Sequence, residues 1–194
     1  FPSGRGLGLD VELAGETGGY GQGVFASAPI RKGEILHVLD GARISVREVV
    51  ARSLRGEEGY DDPLQVGRRT YLDLDDASHL FNHGCDPTAG LRKTSELFAL
   101  RDIRAGEQVT YDYSMTVAPT DWAMSCACGA RRCRKIVGDV RTVPAWQRHA
   151  YEEAGAVQRY MRAVLRELDA GTYRIPRYEV LAMARINAAL GKAR

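Results

Sequence analysis

Four cysteines constrain this chain more than any other feature of its sequence. Cys126, Cys128 and Cys133 form a compact group, and Cys85 lies about 40 residues upstream. Cys126 and Cys128 can point both sulfurs at one ion, whereas a disulfide between them would be strained. Four thiolates fill one tetrahedral zinc site. We therefore predict a zinc ion held by all four, in preference to disulfides or unrelated buried thiols. Four thiolates leave no open position, so this zinc is structural and not catalytic.

Composition limits the class of protein. The chain has 194 residues and a net charge of +2, which fits one domain with an appendage and does not indicate a nucleic-acid partner. The basic cluster within 131–135 is interpreted as a solvated rim of the cysteine loop. No apolar run approaches the roughly 20 residues of a membrane span, so we predict a soluble protein without membrane contact.

Metal-spaced cysteines favour a reducing compartment and predict a cytoplasmic location, with nuclear and secreted locations open. Because the chain begins at Phe1 and not Met, we expect further residues upstream.

Short alternating segments separated by glycine-containing turns predict strands near 9–13 and 35–39. Further strands are predicted at 70–74, 97–100 and 108–111. A brief helix capped by Ser45 should extend to about residue 54. The segment 56–69 is charged and rich in turn residues, which predicts a surface insertion.

Composition changes after Pro144. Apolar residues recur at helical spacing from Val157 to Leu168, which predicts an amphipathic helix that Gly171 ends. A second helix is predicted at 178–190. We expect the two helices to be antiparallel and to pack on the main domain, in preference to forming a partner-binding module. Nothing in them indicates chemistry.

Three further motifs accompany the cysteines. Residues 82–87 (NHGCDP) resemble the NHxCxP signature of SET-domain protein lysine methyltransferases. Residues 21–26 (GQGVFA) are similar to the GxG segment of that family, and residues 105–113 (AGEQVTYDY) to its AGE-x-hydrophobic-TYDY segment. The motifs follow the order of the family, and the resemblance covers about residues 18 to 140. The compact plan is typical of bacterial members.

The resemblance implies a mainly β SET-domain (β-clip) fold of short strands with some helix. It also implies a knot-like C-terminal part, a post-SET loop in which zinc joins Cys85 to the other three cysteines, and a C-terminal helical pair. We expect a SET domain over 1–117 with a short insertion at 45–69, a post-SET zinc loop at 118–143 and a helical extension at 144–194.

The resemblance further implies that the cofactor is S-adenosylmethionine, converted to S-adenosylhomocysteine. It assigns cofactor contacts to five residues in two motifs: Gly21, Gln22, Gly23, Asn82 and His83. Trp122 is predicted to pack the zinc loop over the cofactor. Taken alone, the glycine pair more often marks a hairpin turn, and the Asn-His pair more often has a structural role.

Two tyrosines are the candidate catalytic groups. Tyr111 and Tyr113 should share one face of an extended strand, with Asp112 on the other; without the resemblance, cross-strand packing is the better reading. Methyl transfer needs a neutral amine, although lysine has a pKa of about 10.4. An apolar channel and a nearby sulfonium lower that pKa, and phenol oxygens can orient the nitrogen. By resemblance Tyr113 is the catalytic tyrosine, Tyr111 sets how many methyl groups fit, and Tyr71 walls the lysine channel.

The sequence thus predicts a protein-lysine N-methyltransferase that favours mono- or dimethylation. The alternatives are a catalytically inactive SET-like module that binds peptides or scaffolds a complex, and a zinc interaction finger. The expected partner is a lysine-containing protein, such as a histone or another basic protein. The acidic run Asp73, Asp75 and Asp76 could meet a basic peptide, but a solvated turn explains it equally well.

Overall fold

A computed structural model of the chain describes residues 11–17, 21–57 and 62–176. These residues form a mainly β fold with few helices, as predicted. The strands are β1 (Val11–Thr17), β2 (Gly21–Ala26), β3 (Ile35–Val38), β4 (Gly41–Ser45), β5 (Leu64–Gly67), β6 (Thr70–Leu74), β7 (Ala89–Arg92), β8 (Glu96–Ala99), β9 (Ala123–Ser125) and β10 (Ile136–Gly138). The α-helices are α1 (Val46–Arg55), α2 (Ala145–Glu153) and α3 (Arg159–Asp169).

The strands form four small antiparallel sheets. Their orders are β1-β2, β3-β8-β7, β4-β6-β5 and β10-β9. β4 approaches β6 so closely that a Cβ at Gly41 would lie 1.9 Å from the backbone oxygen of Asp73, and only glycine fits there. The β9-β10 pair closes the loop that carries three of the cysteines, and so brings the ends of that loop together.

The main core lies between the sheets and beneath two irregular segments, 80–84 and 108–113. It is built from side chains that are almost completely buried, among them Val24, Leu39, Phe81, Leu97 and Val109. Burial of side chains of this size is the main stabilising contribution to a domain. Because Phe81 and Val109 belong to this core, the two irregular segments are anchored to it.

Helix α1 forms where the sequence predicts it. Ser45 caps the helix and its side chain accepts a hydrogen bond from the backbone N–H of Glu48 at 3.3 Å. Gly56 ends the helix in the left-handed conformation, with φ of 70°, which glycine adopts without steric cost. Val46 and Val49 bury one face of the helix and pack with Tyr71.

A second core joins α2 and α3 to the rest of the fold. Met161, Val164 and Leu165 on α3 pack with Phe98 and Val140, which precede the helices in the chain. The predicted helix from Val157 to Leu168 is therefore confirmed as α3, and Gly171 follows its end with φ of 65°. The helix predicted at 178–190 lies outside the described residues.

Two predictions of local structure are wrong. The segment 56–69 is not simply a surface insertion, because 64–67 form β5, in which Leu64 and Gln65 are buried. The segment 108–111 is not a regular strand; it makes only the isolated bridges Phe25↔Gln108 and His83↔Tyr111. In both cases pairing across the chain, which local sequence does not encode, decides the structure.

Among the helices in the described ranges, none has the length and apolar character of a membrane span.

Candidate active site and metal centre

The four cysteines lie together. Cys85 follows the segment 80–84, and Cys126, Cys128 and Cys133 come from the β9-β10 loop; their sulfurs lie within 4.8 Å of one another. The Sγ of Cys126 is 3.8 Å from that of Cys85 and 3.7 Å from that of Cys133. A tetrahedral ion with sulfur ligands at about 2.3 Å requires sulfurs about 3.8 Å apart. The donor set and its spacing therefore fit zinc, and these cysteines could hold it.

The surroundings of the cluster place its thiols in unequal environments. Burial raises the pKa of Cys85 to about 12, whereas a hydrogen bond from the backbone N–H of Lys135 lowers that of Cys133 to about 7. A bound cation would hold all four as thiolates, so metal binding at this cluster releases protons. Trp122 and Val137 pack against the cysteines.

One residue of the basic cluster is misplaced by the sequence interpretation. Arg134 is not part of a solvated rim, because only 9% of its side chain is exposed. Its guanidinium donates to the carboxylate of Asp112 at 2.5 Å, and its backbone N–H lies 3.4 Å from the Sγ of Cys85. The buried carboxylate of Asp112 pairs with the guanidinium of Arg134 and so keeps it away from solvent. Arg134 thus connects the cysteine cluster to the tyrosine segment.

The segments 80–84 and 108–113 run side by side. His83 and Tyr111 form a parallel bridge, in which the N–H of Tyr111 donates to the oxygen of Asn82 and the N–H of Gly84 to that of Tyr111, both at 3.1 Å. Gly84 is required by this approach, because a Cβ there would lie 2.6 Å from the Oγ1 of Thr110. The two segments form a shared wall between two pockets.

The first pocket is lined by the three predicted tyrosines, Tyr71, Tyr111 and Tyr113, and we call it the tyrosine pocket. The ring centroids of Tyr111 and Tyr113 are 4.8 Å apart, so the predicted common face exists. It arises differently from the prediction, because Tyr113 begins a 3-10 helix, Tyr113–Thr116, that Asp112 caps.

The hydroxyls of the tyrosine pocket are held or buried. Tyr113 donates its hydroxyl proton to the backbone oxygen of Phe81 at 2.9 Å. Burial raises the pKa of Tyr111 well above its ordinary value, and the neighbouring Tyr113 adds to the effect. The Tyr111 phenol is therefore uncharged at any working pH. Trp122 also lines this pocket.

The second pocket lies on the other side of the shared wall. It is lined by Asn82, His83, Gly84, Gln108 and Thr110 and by residues 127–130 of the cysteine loop, and we call it the polar pocket. Asn82 donates from Nδ2 to the backbone oxygen of Gln22 at 2.9 Å, which ties the pocket to Gly21 and Gly23 at the start of β2. Of the six predicted cofactor residues, Asn82 and His83 line this pocket, and Gly21, Gln22 and Gly23 adjoin it through the hydrogen bond from Asn82. Trp122 lies on the tyrosine pocket instead.

The imidazole of His83 has a role that the sequence did not indicate. Burial lowers its pKa to about 3, and the charge of Arg134 adds to the effect, so the ring is neutral. Its Nδ1 accepts from the backbone N–H of Tyr113 at 3.2 Å, and its Nε2 lies 3.3 Å from the Sγ of Cys85. A neutral ring that accepts at Nδ1 carries its proton on Nε2. His83 therefore donates to a candidate metal ligand while it holds the backbone of Tyr113.

Part of the chain is similar to a known family of protein domains. The sequence profile of the SET domain matches residues 21–114. The chain carries a SET domain. The matched region includes both segments of the shared wall, whereas the three cysteines of the β9-β10 loop and helices α2 and α3 lie beyond it.

Curated relatives match part of this chain within longer proteins. Histone-lysine N-methyltransferase ATX2 of Arabidopsis thaliana is 32% identical over 64% of this chain and 13% of its own length. Histone-lysine N-methyltransferase 2B of Homo sapiens is 30% identical over 61% of this chain and 5% of its own. Histone-lysine N-methyltransferase SUV39H1-A of Danio rerio is 28% identical over 69% of this chain and 42% of its own. The chain thus spans less than half the length of each of these three relatives.

Proposed function

We propose that this chain is a protein-lysine N-methyltransferase, which transfers a methyl group from S-adenosylmethionine to a lysine side chain and favours mono- or dimethylation. The observation that supports this most is the pair of pockets on the two sides of one wall. Tyr113 ends the second segment of that wall and lines the tyrosine pocket, and we assign it the place where an amine in one pocket meets a reactive group in the other. The names of the relatives support the same activity.

The polar pocket is suited to the cofactor. When bound, S-adenosylmethionine supplies an electrophilic methyl group on a sulfonium. Gln108 contributes a buried Nε2 that has no hydrogen-bond partner among the described residues, and a buried unpaired donor is costly unless a ligand accepts from it. The small residues Gly84 and Gly129 leave room beside it. We assign cofactor contacts to Gly21, Gln22, Gly23, Asn82 and His83, the last through its backbone because its side chain is engaged elsewhere.

The tyrosine pocket is suited to the acceptor lysine. Tyr71, Tyr111 and Phe81 provide walls that are more than nine-tenths buried, and an apolar channel of this kind favours the neutral amine. Because the hydroxyl of Tyr113 donates to Phe81, its oxygen can accept from an amine N–H. Accepting that bond fixes the direction of the nitrogen lone pair, which is the positioning that methyl transfer needs. Tyr111, as an uncharged phenol, limits the space for further methyl groups.

The cysteines would hold zinc in a structural role. Cys128 and Gly129 belong both to the metal loop and to the lining of the polar pocket, so the metal would fix one side of the cofactor site. No position at the ion is left for substrate when four thiolates bind it.

A lysine-containing protein such as a histone is the proposed substrate. The exposed Asp62 lines the tyrosine pocket, which favours a basic peptide. The acidic run contributes less, because Asp73 pairs with Arg52 at 2.8 Å and Asp75 accepts from the backbone N–H of Ser78. The metal-spaced cysteines support a reducing compartment such as the cytoplasm.

A methylation screen tests the proposal. The purified chain is incubated with tritiated S-adenosylmethionine and with an arrayed library of lysine-centred peptides and proteins, and calorimetry measures cofactor binding. We expect binding and label on lysine. Binding without any transfer would instead favour the inactive peptide-binding module, and no binding would leave only the zinc interaction finger.

A further inference from the structure

Helix α2 lies beyond the region that matches the SET domain, yet its side chains contact Asp112, which precedes Tyr113, and Cys85 of the cysteine cluster. Gln147 and Tyr151, one turn apart on the buried face of this helix, are only 7% and 6% exposed. Residues four apart on a helix project from the same side. Both side chains carry polar groups into the interior, where such groups need partners.

The two residues form a continuous set of hydrogen bonds. Gln147 donates from Nε2 to the backbone oxygen of Cys85 and to the hydroxyl of Tyr151, both at 2.7 Å. Tyr151 in turn donates its hydroxyl proton to the Oδ2 of Asp112 at 3.2 Å. The two protons of the amide and the one of the phenol are all used, which leaves a single consistent assignment of donors.

Both ends of this set lead to Tyr113. Asp112 precedes it and caps its 3-10 helix by accepting from the backbone N–H of Ser114 at 3.1 Å. From Cys85, the contact with the His83 ring leads to the backbone N–H of Tyr113. The orientation of Asp112 and the place of Cys85 thus define the position of the tyrosine from two sides.

Packing alone does not explain the hydroxyl of Tyr151. Its ring belongs to the second core, and a phenylalanine would supply the same apolar contact. A buried polar network stabilises little more than apolar side chains of equal volume, but it fixes one arrangement of the groups it joins. The Tyr151 hydroxyl and the Gln147 amide are the groups of α2 that contact Asp112 and Cys85.

We propose that Gln147 and Tyr151 are positioning residues, which hold Asp112 and the Cys85 backbone and thereby fix Tyr113 for methyl transfer. The proposal rests on the function proposed above. It gives α2 a part in the reaction, although the helix touches neither pocket.

Tyr151→Phe tests the proposal because it keeps the ring and removes one hydroxyl. The zinc-loaded chain of 194 residues is assayed with the best acceptor of a lysine-centred peptide library. We expect kcat to fall about 10-fold or more, the loss typical of a hydrogen bond to a charged group, while KM for the peptide changes less than twofold. His149→Ala is the matched control, because His149 lies on the same helix with its side chain 71% exposed; it should leave kcat unchanged.

A second variant and a second readout separate positioning from simple stability. Gln147→Met keeps the side-chain length but removes both donors, and it should lower kcat and also speed zinc release to a coloured chelator, since Cys85 loses its backbone contact. The double variant should lose no more in kcat than the more affected single variant, because the two residues act through each other. If Tyr151→Phe does not fold, the same measurements are made on Gln147→Met.

A lower melting temperature with unchanged kcat and unchanged zinc release would overturn the proposal and leave α2 a packing element. Additive losses in the double variant would overturn the shared network. If the unaltered chain binds no cofactor and transfers no methyl group, the proposed function fails. The rate of zinc release then still tests whether Gln147 holds the backbone of Cys85. Equal rates from Gln147→Met and the unaltered chain would show that it does not.

Discussion

Tyr113→Phe separates chemistry from folding in this site. The substitution removes the hydroxyl that donates to the backbone oxygen of Phe81 at 2.9 Å, and a typical hydrogen bond contributes about 1 kcal/mol to stability. The ring keeps its contacts with Tyr111 and His83, at centroid distances of 4.8 and 5.4 Å. Loss of one preorganised polar group at a reacting centre costs about 2.7–4 kcal/mol of transition-state stabilisation. We therefore expect a small loss of stability and a fall in kcat of roughly 100-fold or more.

The assay compares kcat, the unfolding midpoint and cofactor affinity of the variant with those of the unaltered chain. Tyr173→Phe is the control, because Tyr173 lines neither pocket and its ring contact with Arg68 does not need the hydroxyl. Cofactor affinity should stay within a few-fold in both variants. A Tyr113→Phe variant that methylates at the parental rate would refute the catalytic role of this tyrosine.

Three further outcomes are expected. Purified protein should contain about one zinc per chain by elemental analysis, and Cys126→Ser should release it and weaken cofactor binding; full zinc occupancy after all four cysteines are changed to serine would contradict the assignment. Tyr111→Phe should shift the product from mono- and dimethyl-lysine toward trimethyl-lysine, which mass spectrometry of a peptide taken to completion detects, and an unchanged distribution would exclude this role. Burial lowers the pKa of His37 below its ordinary value of 6.5, although the charges of Asp75 and Asp40 oppose the shift. As the pH falls, His37 therefore takes up a proton more readily in the unfolded chain than in the folded chain. The free energy of unfolding should then decrease as pH falls below about 6.5, and a denaturant titration should show a smaller decrease for His37→Gln.

The candidate site could be predicted where its residues lie in short contiguous motifs. The cysteine spacing, the Asn-His pair and the two tyrosines are each visible in a few residues, and the structure brings them together around one wall. Helices α1 and α3 were also predictable, because a serine cap and an apolar stripe are local signals.

The remainder depends on contacts between distant parts of the chain. Asp112 and Arg134 form a buried ion pair across 22 residues, and neither position looks unusual in sequence. Helix α2 has few apolar residues, and Tyr151 gains its significance only from Asp112 and Gln147. The one available signal is the position of Asp112 between two tyrosines that are predicted to line the site. A carboxylate buried there needs a cation or hydrogen-bond donors as partners, although the sequence does not show that Arg134 is that cation.

Methyl-lysine analysis tests the proposed activity most directly. The zinc-loaded chain is incubated with S-adenosylmethionine labelled in the methyl group and with proteins or peptides that contain lysine, and the acceptors are hydrolysed to amino acids. We predict label in Nε-methyl-lysine with the unaltered chain and at least about 100-fold less with Tyr113→Phe. Absence of label from methyl-lysine across the acceptors, or equal label from the two proteins, would contradict the proposed mechanism.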